Sequence, residues 1–259
     1  MIKEVFINLE DIESSFKEVI ELWKVKENKI IVTRSNNKIK EVKSFYENFI
    51  NNIGKPYFLA EDATIKDRNL QRTGELWSEV RYDSSIKDAY RHSSNAQPLH
   101  TDGSYIPSFP NATLMCCNTN TVEGGETIFL DANDLIYCLE QENKELLESL
   151  SNSIVTHERS GDKRIEKVID LDDDIVKVNW NYYCLGKGES NSKVFLEQFF
   201  SYLQSSDLIQ DKIQMVKTGT GDAMIWKDNE ILHGRNGFKT NSNSQRHLYK
   251  CALDVGNFG

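Results

Sequence analysis

The sequence predicts a mainly β fold with flanking helices, an antiparallel sandwich or barrel. Three observations carry this expectation. The middle and end of the chain hold many short β-rich runs joined by turn-rich connections, and helical spacing is confined to the start and to two later interruptions. No repeat, low-complexity tract or Pro/Gly/Ser-rich linker divides residues 1–259, so one domain is expected. A doubly wound parallel sheet is disfavoured because βαβ alternation through the middle is too irregular.

Taken in order, Ile12, Phe16, Val19, Ile20 and Trp23 recur with the 3.6-residue period. Ile39, Val42, Phe45, Tyr46, Phe49 and Ile50 do so again, until Gly54 and Pro56 stop the pattern. Two amphipathic helices follow, with a strand at 29–33 between them. The runs at 79–82, 112–118, 126–130, 153–157, 176–183, 213–216, 223–226 and 247–253 are short and rich in β-branched, aromatic or apolar residues, and read as strands. Helical spacing returns at 133–150, through Leu135, Ile136, Leu139, Leu146 and Leu147, and at 192–203, through Val194, Phe195, Phe199 and Phe200.

Hydrophobic residues make up 39% and charged residues 27%, which excludes a disordered chain and a membrane-spanning one. Lys and Arg total 31 against 40 Asp and Glu, a net charge of -9 that argues against nucleic acid or an anionic membrane as a bulk partner. A small-molecule partner and a locally basic pocket stay open. The five cysteines are odd in number, two are adjacent and no CxxC occurs, so neither a disulfide framework nor a Cys-rich zinc site is encoded. Reduced thiols, no signal-like apolar core near the start and no run of about 18 apolar residues lead to a cytoplasmic expectation.

Imidazole chemistry has only His92, His100, His157, His233 and His247 to draw on. His100 and Asp102 stand two apart in NAQPLHTDGSY, and on an extended strand alternate side chains share a face, within reach of one metal ion. Chance alone supplies about one third of such a pair in a chain of this composition, and an isolated pair reads as well as an imidazole hydrogen-bonded to a carboxylate. The segment GDAMIWKDNEILHGRNGF adds His233 after an apolar strand and a polar turn, hence at the mouth of a sheet. Two histidines and one carboxylate on one face of an octahedron leave three positions open, the arrangement of an oxygen-activating non-haem Fe(II) centre.

These residues and their surroundings resemble the taurine dioxygenase (TauD/TfdA) family of Fe(II)- and 2-oxoglutarate-dependent oxygenases. The resemblance rests on HTDGSY at 100–105, GGETIFLD at 124–131, VNWNYY at 178–183, and DNEILHGRNGF at 228–238 followed by RHLYK at 246–250. It spans residues 79–254, with 1–78 as a helical approach, and implies a double-stranded β-helix, the cupin-like jelly roll. It implies His100, Asp102 and His233 as the iron ligands and catalytic centre. It also implies Arg246 as the partner of the far carboxylate of 2-oxoglutarate, assisted by Thr127.

The chemistry suits those types. Arg pairs bidentately with a carboxylate and stays charged when desolvated, and a Thr hydroxyl donates one further hydrogen bond. Without the family, Arg246 reads as an ordinary strand-end Arg and Thr127 as an ordinary β-branched strand residue. The implied reaction consumes O2 and 2-oxoglutarate, releases succinate and CO2, and removes hydrogen from a substrate C–H bond. Hydroxylation is the usual outcome, and related centres also desaturate, cyclise or cleave according to where the substrate is held. Asp102 argues against halogenation, which needs its position for halide.

For a substrate wall, position suggests Asn95, Tyr105, Trp180, Tyr182, Arg235 and Lys250. Lys250, four residues beyond Arg246, shares its strand face and stands where taurine oxygenases carry a second basic residue, there Arg. The expected substrate is therefore a small anionic or amino-acid-like metabolite, intermediates of specialised metabolism included. Arg235 reads equally as an exposed charge or a structural salt bridge.

Other features are set aside. Cys116 and Cys117 are adjacent on a strand and face opposite ways, so they cannot chelate together. His92 and His157 lack partners at ligand spacing, and His247 points out if Arg246 points in. The acidic run at 171–175 lacks the spacing and Gly of a calcium loop and reads as a solvated turn. Two rivals stand beside the oxygenase: a His/His/Asp zinc hydrolase, which has no need of Arg246 or the GGET strand, and a non-catalytic jelly-roll small-molecule-binding protein.

Overall fold

A computed structural model describes residues 2–58, 76–85, 90–120, 122–159, 161–171, 174–186, 192–240 and 246–256. The early strands are β1 (Ile2–Phe6), β2 (Ile30–Arg34), β3 (Gly54–Tyr57), β4 (Ser78–Arg81), β5 (Gln97–His100), β6 (Ala112–Asn120), β7 (Glu123–Gly124) and β8 (Thr127–Asp131). Then come β9 (Ile154–Arg159), β10 (Asp162–Lys167), β11 (Ile169–Asp170), β12 (Lys177–Val178), β13 (Gln214–Val216), β14 (Ala223–Lys227), β15 (Ile231–Arg235), β16 (Phe238–Lys239) and β17 (Arg246–Val255). The helices are α1 (Ile12–Lys24), α2 (Val42–Ile53), α3 (Ala132–Glu142), α4 (Lys144–Asn152), α5 (Lys193–Ser205) and α6 (Asp207–Lys212).

Two sheets face each other as a jelly roll. The larger runs β1-β2-β14-β6-β17-β3 with β4 also on β17, and the smaller runs β13-β8-β15-β5. Side-chain alternation builds three apolar layers. Ile30, Val32, Met115, Cys117, Met224, Trp226 and Leu248 point between the sheets and meet Phe129, Val216 and Ile231 of the smaller one. Their neighbours Ile31, Leu114, Cys116, Ile225 and Leu253 point the other way, against Phe16, Val19, Tyr46, Phe49 and Ile50 of α1 and α2. Leu130 and Leu232, on the back of the smaller sheet, join Leu135, Leu139, Leu146, Leu150, Phe199 and Leu203 of α3, α4 and α5. Fully burying each such side chain contributes about 1.5–3 kcal/mol, so both helical layers stabilise the sheets they cover.

The structure departs from the sequence expectation in specific places. The single helix expected at 133–150 is two, because Asn143 ends α3 and its side chain accepts from Leu146 N (3.1 Å) to start α4. Residues 1–78 are more than a helical approach. The strand expected at 29–33 is β2, paired to β14 in the middle of the sheet path, but this stretch also supplies β1, parallel to β2, and β3. In β1 only Val5 is buried, so its apolar period is too faint to read. Of the strand expected at 176–183, only Lys177–Val178 is regular; Tyr182–Cys184 form a 3-10 turn. The acidic run at 171–175 lies partly outside the described residues.

Candidate metal centre and active site

His233 is the third residue of β15, and its Cα partner across the strand pair is His100, the last residue of β5. It lies inside the sheet rather than at its mouth, and strand pairing itself brings the two imidazoles together, ring centroids 4.3 Å apart. The register slips between His233 and Arg235, so three steps on β5 span two on β15. An added Cβ at Gly234, inside this irregularity, would lie 2.6 Å from the Gln97 carbonyl oxygen, which explains a glycine there.

Asp102 lies in the turn just past β5 rather than on a strand. Thr101 pins that turn: its N–H donates to the Trp180 carbonyl (2.7 Å), and its hydroxyl accepts from Trp180 N (3.0 Å). Gly103 then adopts φ +59, where a Cβ would fall 2.1 Å from the Phe109 ring. Held this way, one ligand atom from each of His100, Asp102 and His233 lies within 4.8 Å of the others. His100 Nε2 is 3.9 Å from Asp102 Oδ1, and His233 Nε2 is 3.6 Å from Asp102 Oδ2.

The surroundings fit a divalent metal. His100 Nδ1 sits 2.9 Å from the Pro98 carbonyl, which turns Nε2 to the centre. Among the described residues His233 Nδ1 has no hydrogen bond, and it lies 3.8 Å from Asp228 Oδ1. Asp228, missed by the sequence reading although it opens DNEILHG, is fully buried and accepts from Trp226 Nε1 (3.1 Å). Burial, then the charge of Asp102, pushes the Asp228 carboxyl up. Burial pushes both ligand imidazoles down, His233 strongly and with His100 adding to it. Burial opposes ionisation of Asp102, but the Lys250 ammonium at 2.7 and 2.9 Å overrides it and holds the carboxyl well below its usual range. Neutral imidazoles beside a carboxylate are the protonation states a metal requires.

The three residues open onto a cavity of about 570 Å³ that Arg246, Thr127, Tyr105, Tyr182, Arg235 and Lys250 also line. Arg246 is 3% exposed, and burial pushes its guanidinium down to about 9, with Arg235 adding. Among the described residues it has no ion pair, and its Nε has no hydrogen bond. Arg246, Leu248 and Lys250 share the inward face of β17 while His247 turns away to Tyr249, 4.6 Å between centroids. Thr127 is buried on β8 beside Arg235.

Two of the expected wall residues, Trp180 and Asn95, do not line the cavity, and two that do, Arg235 and Lys250, are already committed to partners. Trp180 is no wall residue: it is wholly buried against Phe199 (centroids 4.7 Å), because an indole at that strand end fills the core behind the smaller sheet. Asn95 is exposed and does not line the cavity; its carbonyl accepts from Arg235 Nη2 at 2.6 Å. That same Arg235 nitrogen also reaches the carbonyls of Ser93 (2.8 Å) and Tyr90 (3.2 Å), so the group is committed to holding the loop before β5. Lys250 is committed to Asp102. In place of Asn95 the irregular pairing brings in Gln97, whose Nε2 is 3.2 Å from His100 Nε2. Tyr182 does face the cavity, stacked on Phe200 at 4.1 Å. The five cysteines are free and buried, and no described helix is long and apolar enough to cross a membrane.

Comparison with known proteins adds a family to this geometry. Gamma-butyrobetaine dioxygenase of Homo sapiens is 25% identical over 174 residues, 60% of this chain and 43% of that protein, so the chain spans less than half of this relative's length. The structure of asparagine oxygenase with Fe(II), 2S,3S-3-hydroxyasparagine and succinate superposes with a TM-score of 0.71 at 10% identity, covering 98% of this chain and 94% of that one. The non-heme iron oxygenase OrfP with Fe and alpha-ketoglutaric acid gives 0.65 at 12% identity, covering 95% and 80%. These two likenesses show a shared fold. The profile of the Taurine catabolism dioxygenase TauD, TfdA family matches residues 7–252, a stretch that takes in every site residue from β5 to Lys250. On that match the chain belongs to the TauD, TfdA family of Fe(II)- and 2-oxoglutarate-dependent dioxygenases.

Proposed function

We propose that this chain hydroxylates an unactivated C–H bond of a small polar, anionic or amino-acid-like metabolite. In the balanced reaction R–H, O2 and 2-oxoglutarate become R–OH, succinate and CO2. The observation that carries the reading is a buried Arg246 without an ion pair among the described residues, lining the same cavity as His100, Asp102 and His233. Fe(II) held by His100, Asp102 and His233 would supply, with 2-oxoglutarate and O2, the oxidising power for the C–H bond.

The protein's own groups do the rest. His100 and His233 offer neutral Nε2 lone pairs, and Asp102 offers a carboxylate kept ionised by Lys250. Arg246 receives the far carboxylate of 2-oxoglutarate, for which its planar fork is suited, with the Thr127 hydroxyl beside it. Arg235 holds the loop before β5 through three carbonyls, and so fixes the approach to His100. Tyr105 and Tyr182 give the substrate an aromatic wall that keeps water from the reacting bond. A hydrolase would leave Arg246 without a use.

The test is a coupled measurement of O2 uptake and succinate release with Fe(II) and 2-oxoglutarate across a set of small acids and amino acids. One succinate formed per O2 consumed, stimulated by at least one member, is the expected result. Hydrolytic activity supported by zinc, with no succinate under any condition, would overturn the proposal.

A further inference from the structure

Five cationic side chains, those of Arg91, Arg159, Arg235, Arg246 and Lys250, line the cavity, and among the described residues the only carboxylate lining it is Asp102. In a chain of net charge -9 this is a strong local reversal. One dianionic cosubstrate does not balance it. Arg246 is assigned to 2-oxoglutarate on the proposed function, Lys250 is paired with Asp102, Arg235 is committed to three backbone carbonyls, and Arg91 has a partner of its own. Arg159, which the sequence reading did not single out, is different. Among the described residues it makes no ion pair and no hydrogen bond to oxygen; Nη1 points to Cys184 Sγ at 3.7 Å, and the guanidinium carbon sits 5.9 Å from the Tyr105 ring centroid.

Its placement is built rather than incidental. On β9, Val155, His157 and Arg159 share one face; the first two are buried and the third emerges into the cavity. His157 Nδ1 lies 3.4 Å from Asn179 Nδ2, which also donates to the Ser104 carbonyl at 3.1 Å. The strand carrying Arg159 is thereby tied to the turn carrying Asp102, so the cation and the metal centre are held in one frame. The ring of Tyr105 packs with Ile106, Cys184 and Phe109, an apolar patch next to the guanidinium.

We propose that Arg159 is the substrate anchor: it pairs with a carboxylate of the substrate, whose apolar body lies along Tyr105 toward His100 and His233. This rests on the oxygenase reading and deepens it, naming a small organic acid as the substrate class. The fork can pair bidentately with either anion, but a carboxylate is a more basic acceptor than a sulfonate and so makes the stronger charge-assisted pair.

The test uses the holoenzyme under anaerobic conditions, with Fe(II) and 2-oxoglutarate bound, and follows the visible absorption of that complex. The probes are hexanoate, 3-phenylpropionate and N-acetyl-L-leucine, each beside its primary amide, with hexylamine and hexane-1-sulfonate as charge controls. We expect at least one acid to perturb the band at concentrations where its amide and the amine do not, with the sulfonate weaker. Arg159→Gln should raise the half-saturating concentration of that acid by about tenfold or more, as loss of a charge-assisted pair requires, and Arg159→Lys should recover part of it. The half-saturation of 2-oxoglutarate should stay within twofold in both variants, which also shows that they fold. Acids that act no better than their amides, or not at all, or that bind Arg159→Gln as well as the parent, overturn the anchor. Absence of the band from the parent protein itself would instead overturn the oxygenase reading beneath it.

Discussion

Replacing Arg246 by Met separates a functional cation from a structural one. The guanidinium is 3% exposed and has no ion pair among the described residues. Burial lowers it from its ordinary value to about 9, which corresponds to about 5 kcal/mol against the charged form. Water entering the cavity relieves part of this, and a net cost of about 2–3 kcal/mol is a reasonable remainder. Because the folded value lies below the unfolded one, the cost is fully present at pH 7 and fades only as pH rises through about 9. Arg246→Met fills the same space without the charge. At about 2–4 °C per kcal/mol for a chain of this size, its melting temperature without 2-oxoglutarate should rise by about 4–12 °C. The parent protein with Fe(II) should gain about 2.7 kcal/mol at 2-oxoglutarate 100-fold above its dissociation constant, and the variant should gain nothing measurable. Thermal unfolding with and without 2-oxoglutarate, under anaerobic Fe(II), reads both. A variant that melts lower than the parent and still responds to 2-oxoglutarate would refute the reasoning, since Arg246 would then be a structural residue.

Asp228→Ala strands Trp226 Nε1 and removes the carboxyl behind His233, so metal affinity should fall by about 10–100-fold in a metal titration, whereas Asp228→Asn, which keeps an acceptor oxygen, should retain most of it. Gly103→Ala forces a Cβ into the Phe109 ring at φ +59, and should weaken both metal binding and thermal stability, seen as a lower melting temperature together with a higher Fe(II) requirement. Asn143→Ala removes only the start of α4; it should cost about 1 kcal/mol, or about 2–4 °C in melting temperature, and leave Fe(II) and 2-oxoglutarate binding unchanged in the same titrations.

Much of the interior was legible from alternation. Cys116 and Cys117 do face opposite layers, one toward α2 and one between the sheets, because neighbours on a strand must. The same rule accounts for Arg246 and Lys250 facing in while His247 faces out. What was not legible depends on long-range pairing. His233 reads from sequence as standing at the mouth of a sheet, past a polar turn, since the short, partly polar run ILHGR becomes a strand only between β8 and β5. Gln97 enters the cavity through a local slip in register that no periodicity announces. The hairpin strand β10, DKRIEK, is charged and buries little, so nothing in its composition marks it as the partner of the strand that carries Arg159. Trp180 shows the converse error: an aromatic beside a motif is more often core than wall, and here its backbone, not its ring, serves the site by pinning Thr101.

The central claim is that His100, Asp102 and His233 hold one Fe(II) that 2-oxoglutarate chelates. Anaerobic titration of Fe(II) and 2-oxoglutarate into the purified protein, followed by visible absorption, tests it most directly. The account predicts a weak charge-transfer band in the parent protein that is lost in His100→Ala, in Asp102→Ala and in His233→Ala. Tight zinc binding with no such band, or a band that survives all three substitutions, would contradict it.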